Sequence, residues 1–292
     1  MNEAVFIFAP SYMQQKYLEP VLNSISKYIS IPYRFCLFTD KLNDDFSSKY
    51  DVMIKTINKE ESKKMQKLYF REGRADIPAF SAYAPFVIPR YFSEFNHFIH
   101  MEVDQVARAD LAPLWEYCVT NKLHLAAAPF LNHLLKRSTV NSFDSIHPGA
   151  TCFNTGVLFV DTKNWIDNRF ESLCFKELEL QQESCGKRLD FYAQGAINNA
   201  LHSSIHEISW PYNVQGIGSM QGIKKKLLDE AKVLHWTGTR KPWNDGLYKD
   251  LYYDDVRLKN PKDYKSNRIK EIYILLRSYF SFLKKLFWFY EK

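Results

Sequence analysis

Short apolar runs alternating with stretches of helical periodicity narrow the folds open to this chain more than any other feature. Residues 4–9 read as a strand, residues 16–28 as an amphipathic helix, and Phe35-Cys36-Leu37-Phe38-Thr39-Asp40 as a second strand. Residues 51–57 make a third strand and a charged helix follows over 59–69. A helix over 79–92 then leads into the apolar run Phe98-Ile99-His100-Met101. Strands alternating with helices imply an α/β fold, a mostly parallel sheet with helices on its faces. Residues 123–129 and 153–161 read as further buried strands, residues 190–201 as a helix, and residues 233–236 as a last short strand. Between them, residues 130–150 form a polar loop rich in Ser, Asn and His, long enough to be a lid or binding loop.

In such sheets ligands bind beyond the carboxyl ends of the strands. Two carboxylates, Glu102 and Asp104, fall where the apolar run 98–101 gives way to loop. On an extended strand, residues two apart share a face. Two anions on one face repel unless a cation lies between them. Hard divalent ions such as magnesium or manganese take oxygen ligands of this kind and bridge to a substrate diphosphate.

Composition sets the outer bounds. With 292 residues and 46% hydrophobic content, the chain can bury a large core. Its five cysteines (Cys36, Cys118, Cys152, Cys174 and Cys185) include no Cys-x-x-Cys pair, so neither a disulfide framework nor a zinc knuckle is indicated. Free thiols in a reducing compartment are expected. The N-terminal stretch lacks a basic region ahead of its short apolar run and reads as a first strand, not a signal peptide. No apolar run is long enough to cross a bilayer.

The formal charge of +6 is uneven. Residues 265–292 hold seven Lys or Arg against two Glu, a net of +5, which leaves about +1 for the preceding 264 residues. A near-neutral body argues against nucleic-acid binding. In the tail, Ile272, Leu275, Leu276, Tyr279, Leu283, Leu286, Phe287 and Tyr290 recur at helical spacing, with Lys270, Arg277, Ser281 and Lys284 opposite. A basic amphipathic helix rich in aromatics is expected to lie in an anionic lipid interface. The expected division is a domain over 1–262 and a membrane-association tail over 263–292.

Three segments carry a resemblance. The first runs from His97 to Trp115 and includes Glu102-Val103-Asp104 and Ala109-Asp110-Leu111-Ala112-Pro113-Leu114-Trp115. The second is Phe153-Asn154-Thr155-Gly156-Val157-Leu158-Phe159-Val160-Asp161 with Lys163 and Trp165. The third is Leu234-His235-Trp236-Thr237-Gly238-Thr239-Arg240-Lys241-Pro242-Trp243. In this order and spacing the chain resembles glycosyltransferase family 8. These are retaining enzymes of the GT-A fold, and they include bacterial lipopolysaccharide galactosyl- and glucosyltransferases.

The resemblance implies a hexose moved from a nucleotide-sugar, a UDP-sugar, to a saccharide acceptor that the tail marks as lipid-linked. It implies a manganese or magnesium ion held by Glu102, Asp104 and His235. Ala9, Ser11 and Val103 would line the nucleotide, Asn154 and Thr155 would touch the donor sugar, and Gly238 and Lys241 would meet the diphosphate. Gln194 would lie beneath the anomeric carbon, and with Asp104 it forms the expected catalytic pair. Retention would proceed by front-face attack, the departing phosphate taking the acceptor's proton. The chain departs from the family pattern at Glu102, where an Asp is usual, and at Pro85, Ala193 and Gly195. These departures keep a second reading open, a catalytically degenerate binding protein on the same scaffold. A nucleotidyltransferase would need glycines after the first strand, and residues 9–17 contain none. The expected location is the inner face of the cytoplasmic membrane.

Overall fold

The computed structural model describes residues 3–43, 51–70, 79–130, 147, 149–185, 192–218, 225–238, 240–244 and 246–253. The tail over 263–292 and nearly all of the 130–150 loop lie outside these residues, as does Asp190.

Strand β1 (Ala4–Phe8) is apolar at every position and wholly buried, as a parallel strand covered on both faces must be. It pairs in parallel with β2 (Tyr33–Thr39) on one side and with β4 (His97–Met101) on the other, so Phe6 lies opposite both Phe35 and Ile99. β3 (Met53–Thr56) extends the sheet beyond β2, also in parallel. Beyond β4 come β7 (Phe153–Asp161), antiparallel to its neighbours, then β6 (Leu125–Pro129) and the two-residue β8 (His206–Glu207). The sheet therefore runs β3-β2-β1-β4-β7-β6-β8, and only β7 opposes the common direction. Large aromatics such as Phe6, Phe38, Phe86, Phe98 and Phe159 fill the layers between sheet and helices. Among the described residues no helix is long and apolar enough to cross a membrane.

Strand order reverses between β1 and β4. The chain moves outward through β2 and β3, returns to the other side of β1, and leaves a crevice beyond the carboxyl ends of β1 and β4. Residues 9–11 end one strand there and residues 102–104 end the other.

A small second sheet closes this crevice. β5 (Gln105–Ala107) pairs antiparallel with β10 (Val233–His235), which pairs in parallel with β9 (Val214–Gln215). Its register sets His235 opposite Gln105 on one side and Gln215 on the other.

Candidate metal and donor site

Glu102 and Asp104 do not sit on a strand. β4 stops at Met101, and the two acids occupy the turn that carries the chain from the large sheet into the small one. Strand alternation is therefore not what brings them together. The turn wraps around His235: its Nε2 lies 2.9 Å from Glu102 Oε2 and 3.4 Å from Asp104 Oδ1. The backbone reinforces this, because Trp236 N donates to Asp104 O at 2.9 Å and ends β10 at His235. Tyr252 secures the turn from the other side, its hydroxyl lying 2.7 Å from Val103 O and 2.6 Å from Tyr17 O.

The environment is graded. The Asp104 and His235 side chains are 4% and 2% exposed, whereas Glu102 is 46% exposed and reaches in from the cleft. Burial alone would raise the Asp104 pKa, but the charges of Lys241 and His235 overcome it and hold the carboxyl well below the usual range. For His235 burial favours the neutral ring, yet Asp104, and then Glu102, reverse this and raise its pKa to about 9. Lys241 donates to the remaining Asp104 oxygen, Oδ2, and to Trp236 O at 3.1 Å.

One ligand atom from each of Glu102, Asp104 and His235 falls within 4.8 Å of the others. Neighbouring ligands of a cation in octahedral geometry, at about 2.1 Å from it, stand about 3 Å apart. The Nε2 separations of 2.9 and 3.4 Å match that edge. Two carboxylate oxygens and one imidazole nitrogen suit manganese or magnesium, so the residues fit a divalent cation.

Two groups that sequence reasoning passed over hold the imidazole. Its Nδ1 lies 2.9 Å from Asn213 Oδ1 and 3.1 Å from Gln105 Nε2. Beneath the ring is Gly156, where an added Cβ would lie 2.3 Å from His235 Cε1 and 2.6 Å from Gln105 Nε2. The glycine in Asn154-Thr155-Gly156 thus makes room for a candidate cation ligand, His235, that lies 79 positions later in the chain. That motif was the available signal. Asn213 gave none, since a lone amide in Pro211-Tyr212-Asn213 carries no periodicity.

The expected donor residues divide. Gln194 Oε1 accepts from Asn154 Nδ2 at 2.8 Å and from Thr155 N at 3.3 Å. Its amide nitrogen has no protein partner among the described residues, so a donor is left for a ligand. Asn154 Oδ1 accepts from Gly156 N at 3.0 Å and from Asn213 Nδ2 at 2.8 Å, while its Nδ2 donates to Gln194. Gly238 adopts φ +83° with open space beside it, so backbone conformation rather than crowding requires glycine there. Ala9 and Ser11 lie at the end of β1, both buried. Ser11 N donates to Gln14 Oε1 and to Ser81 Oγ, both at 3.0 Å, which commits it to the turn entering the 3-10 helix Tyr12–Tyr17. Ala193 and Gly195, beside Gln194, are buried as well.

Comparison with known proteins follows the same lines. Probable galacturonosyltransferase 9 of Arabidopsis thaliana is 22% identical over 215 residues, which covers 66% of this chain and 38% of that protein. Probable galacturonosyltransferase 5 of the same plant is 23% identical over 206 residues, with 65% and 33% covered. The chain spans about a third of the length of these curated relatives. Among solved structures, the galactosyltransferase LgtC with donor and acceptor sugar analogues superposes with a TM-score of 0.67 at 15% identity, covering 86% of this chain and 94% of that one. The bifunctional glycosyltransferase WbbM superposes at 0.66 with 17% identity, covering 90% of this chain and 51% of that one. These structural likenesses establish the GT-A-type fold. The family model for glycosyl transferase family 8 matches residues 12–246, a span containing all three segments and every proposed cation ligand. The chain belongs to glycosyl transferase family 8.

Proposed function

We propose that this chain transfers a hexose, with retention, from a UDP-sugar to a saccharide hydroxyl, and that it requires manganese or magnesium. The observation that carries this reading is the convergence of Glu102, Asp104 and His235 at the strand-order reversal, with Lys241 beside them. When bound there, a divalent cation supplies electrostatic stabilisation to the departing nucleoside diphosphate. The chain's own residues do the rest. Asp104 stays ionised at any working pH, because Lys241 and His235 hold its pKa down. Lys241 stands at the cleft with its ammonium on Asp104 and adds a second positive charge where diphosphate oxygens would come. Gln194 offers its free amide N–H to the transferred sugar, held in place by Asn154 and Thr155 N. Front-face attack needs no protein base, which suits a site whose buried carboxylate is committed to ion pairs.

The acceptor in this reading is lipid-linked, such as a lipopolysaccharide or lipooligosaccharide core at the inner face of the cytoplasmic membrane. Support comes from the basic, aromatic sequence of residues 266–292.

Two experiments test the proposal. UDP and Mn2+ together should raise the melting temperature by more than the sum of their separate effects, and a panel of UDP-sugars should show slow Mn2+-dependent hydrolysis of one member. Additive shifts with no hydrolysis across the panel would favour a binding protein instead. Deleting residues 266–292 should release the protein from anionic vesicles without ending activity on soluble acceptors. Equal vesicle binding by the truncated chain would refute the membrane assignment.

A further inference from the structure

Lys241 reaches the cleft from a loop that doubles back on itself. The chain leaves β10 at Trp236 and reverses at Gly238, where φ is +83°. It returns so that Lys241 Nζ donates to Trp236 O at 3.1 Å and to Asp104 Oδ2. Two neighbouring segments frame the return. Residues 216–218 run beside it, held by Gly216 N to Thr237 Oγ1 at 2.9 Å and Ile217 N to His235 O at 3.4 Å. The turn 241–246 closes on Lys241 O, which accepts from Asn244 N and Gly246 N, both at 3.0 Å. Leu247 ties the two segments together. Its N donates to Gly218 O at 3.1 Å, and its O accepts from Trp236 Nε1 at 2.7 Å.

Each segment sets a buried glycine against the backbone of Arg240 and Lys241. A Cβ on Gly218 would overlap Arg240 O and stand 3.0 Å from its carbonyl carbon and 3.2 Å from its Cβ. A Cβ on Gly246 would stand 2.6 Å from Lys241 O, 2.8 Å from its carbonyl carbon and 3.0 Å from Arg240 O. Neither glycine has a positive φ, so crowding and not backbone conformation excludes a side chain at both. We propose that Gly218 and Gly246 are positioning residues for Lys241. By leaving out two side chains they let the frame close on the 240–241 backbone, and that closure sets where the Lys241 ammonium meets the donor's diphosphate.

The atoms that an added methyl would meet are nearly all main-chain, and main chain cannot rotate aside as a side chain can. The glycines cannot retreat freely either, because Gly218 is tied to Leu247 and Gly246 to Lys241 O. The 240–241 backbone must therefore move. A lysine stem is flexible and in open solvent would absorb such a shift. Here the ammonium is held at two points, Asp104 and Trp236 O, so a displaced base costs at least one of them. Asp104 is 4% exposed and Lys241 28%, so water replaces the lost partner poorly on the carboxylate side.

The inference rests on the proposed function for placing Lys241 at a diphosphate, and one experiment separates the two. UDP affinity in the presence of Mn2+ would be measured by calorimetry on the full chain, with a thermal melt of each variant. The variants are Gly218→Ala, Gly246→Ala, Lys241→Met and the Gly246→Ala/Lys241→Met pair. Lys241→Met removes a charge-assisted hydrogen bond and should weaken UDP binding roughly 10–100-fold. Each alanine variant should weaken it at least about 3-fold, and the paired variant should stay within about 2-fold of Lys241→Met, because the methyl acts only through the lysine. A glycine serving packing alone would lower the melting temperature and leave UDP affinity unchanged. UDP binding at the wild-type level by Gly246→Ala, or losses that multiply in the paired variant, would overturn the inference while sparing the proposed function. Lys241→Met binding UDP as wild type does would refute Lys241 at the diphosphate, and the inference with it. If Gly218→Ala does not fold, Gly246→Ala decides alone. Failure of both to fold would show that the glycines serve the fold rather than Lys241, which overturns the inference equally.

Discussion

Replacing Gly156 with alanine adds a single methyl group, and the structure indicates where its effect falls. The new Cβ would stand 2.3 Å from His235 Cε1, 2.6 Å from Gln105 Nε2 and 2.8 Å from His235 Nδ1. Carbon atoms rest at about 3.5 Å, so the imidazole must retreat by roughly 1 Å. Neither neighbour can swing into solvent, because Gln105 is 0% and His235 1% exposed. Overpacking of this kind costs about 1–3 kcal/mol. For a chain of 292 residues that lowers the melting temperature by about 2–5 °C. The same retreat takes Nε2 out of register with Glu102 and Asp104, now 2.9 and 3.4 Å away. Misplacement of about 1 Å can cost ~100-fold in activity, and Mn2+ affinity should weaken along with turnover. The assay is a thermal melt with and without Mn2+, plus an EPR titration of Gly156→Ala against wild type. An alanine variant that melts within about 1 °C of wild type and binds Mn2+ equally well would refute the packing of His235 over Gly156.

Other outcomes follow from the same geometry. Asp104→Asn keeps the side chain's shape but removes the charge shared by Lys241 and His235. Turnover should fall by at least ~100-fold, with a near-native circular dichroism spectrum and loss of the joint UDP–Mn2+ thermal shift, and wild-type turnover would refute the cation site. Tyr252→Phe deprives the carbonyls of Val103 and Tyr17 of their hydroxyl partner, at a cost of about 1–2 kcal/mol that a melt would register. An unchanged melt would show that the turn does not depend on Tyr252. Without a cation, His235 has a pKa of about 9 in the folded chain, against about 6.5 when unfolded. Its stabilising contribution is therefore complete below pH ~6.5 and is lost as pH rises through ~9. Mn2+ affinity should run the other way, rising with pH as the ring gives up its proton. Chemical denaturation across that range should show the decline in wild type and a flatter profile in His235→Gln. Identical profiles would refute the ion pairing of His235.

Long apolar runs were legible because burial on both faces leaves little choice of residue. The strand expected over 153–161 has those bounds in the structure, and the one expected over 4–9 differs only at its last residue. The small sheet was not legible as a sheet. Its strands hold three, two and three residues, too few for periodicity to register, and they come from distant stretches of the chain. The convergence of the acid pair was anticipated with an incomplete reason. Alternation along a strand predicted a shared face, whereas a turn closed by Gln105 and pinned by Tyr252 does the gathering. His235, Gly238 and Lys241 were recognisable as a motif. Their support was hidden, because Asn213 and Gln105 act through contacts across the small sheet that no spacing rule encodes.

That small sheet also determines when the protein becomes competent. Its strands lie at 105–107, 214–215 and 233–235, so none of the proposed cation ligands meets its partners until more than two hundred residues have been synthesised and the crevice has closed. An N-terminal fragment or a half-folded intermediate could complete most of the β1–β4 core and still have no grip on a cation. If the three proposed ligands bind a cation, its affinity would report closure of the small sheet, and the ion would bias the last step of folding toward the native state.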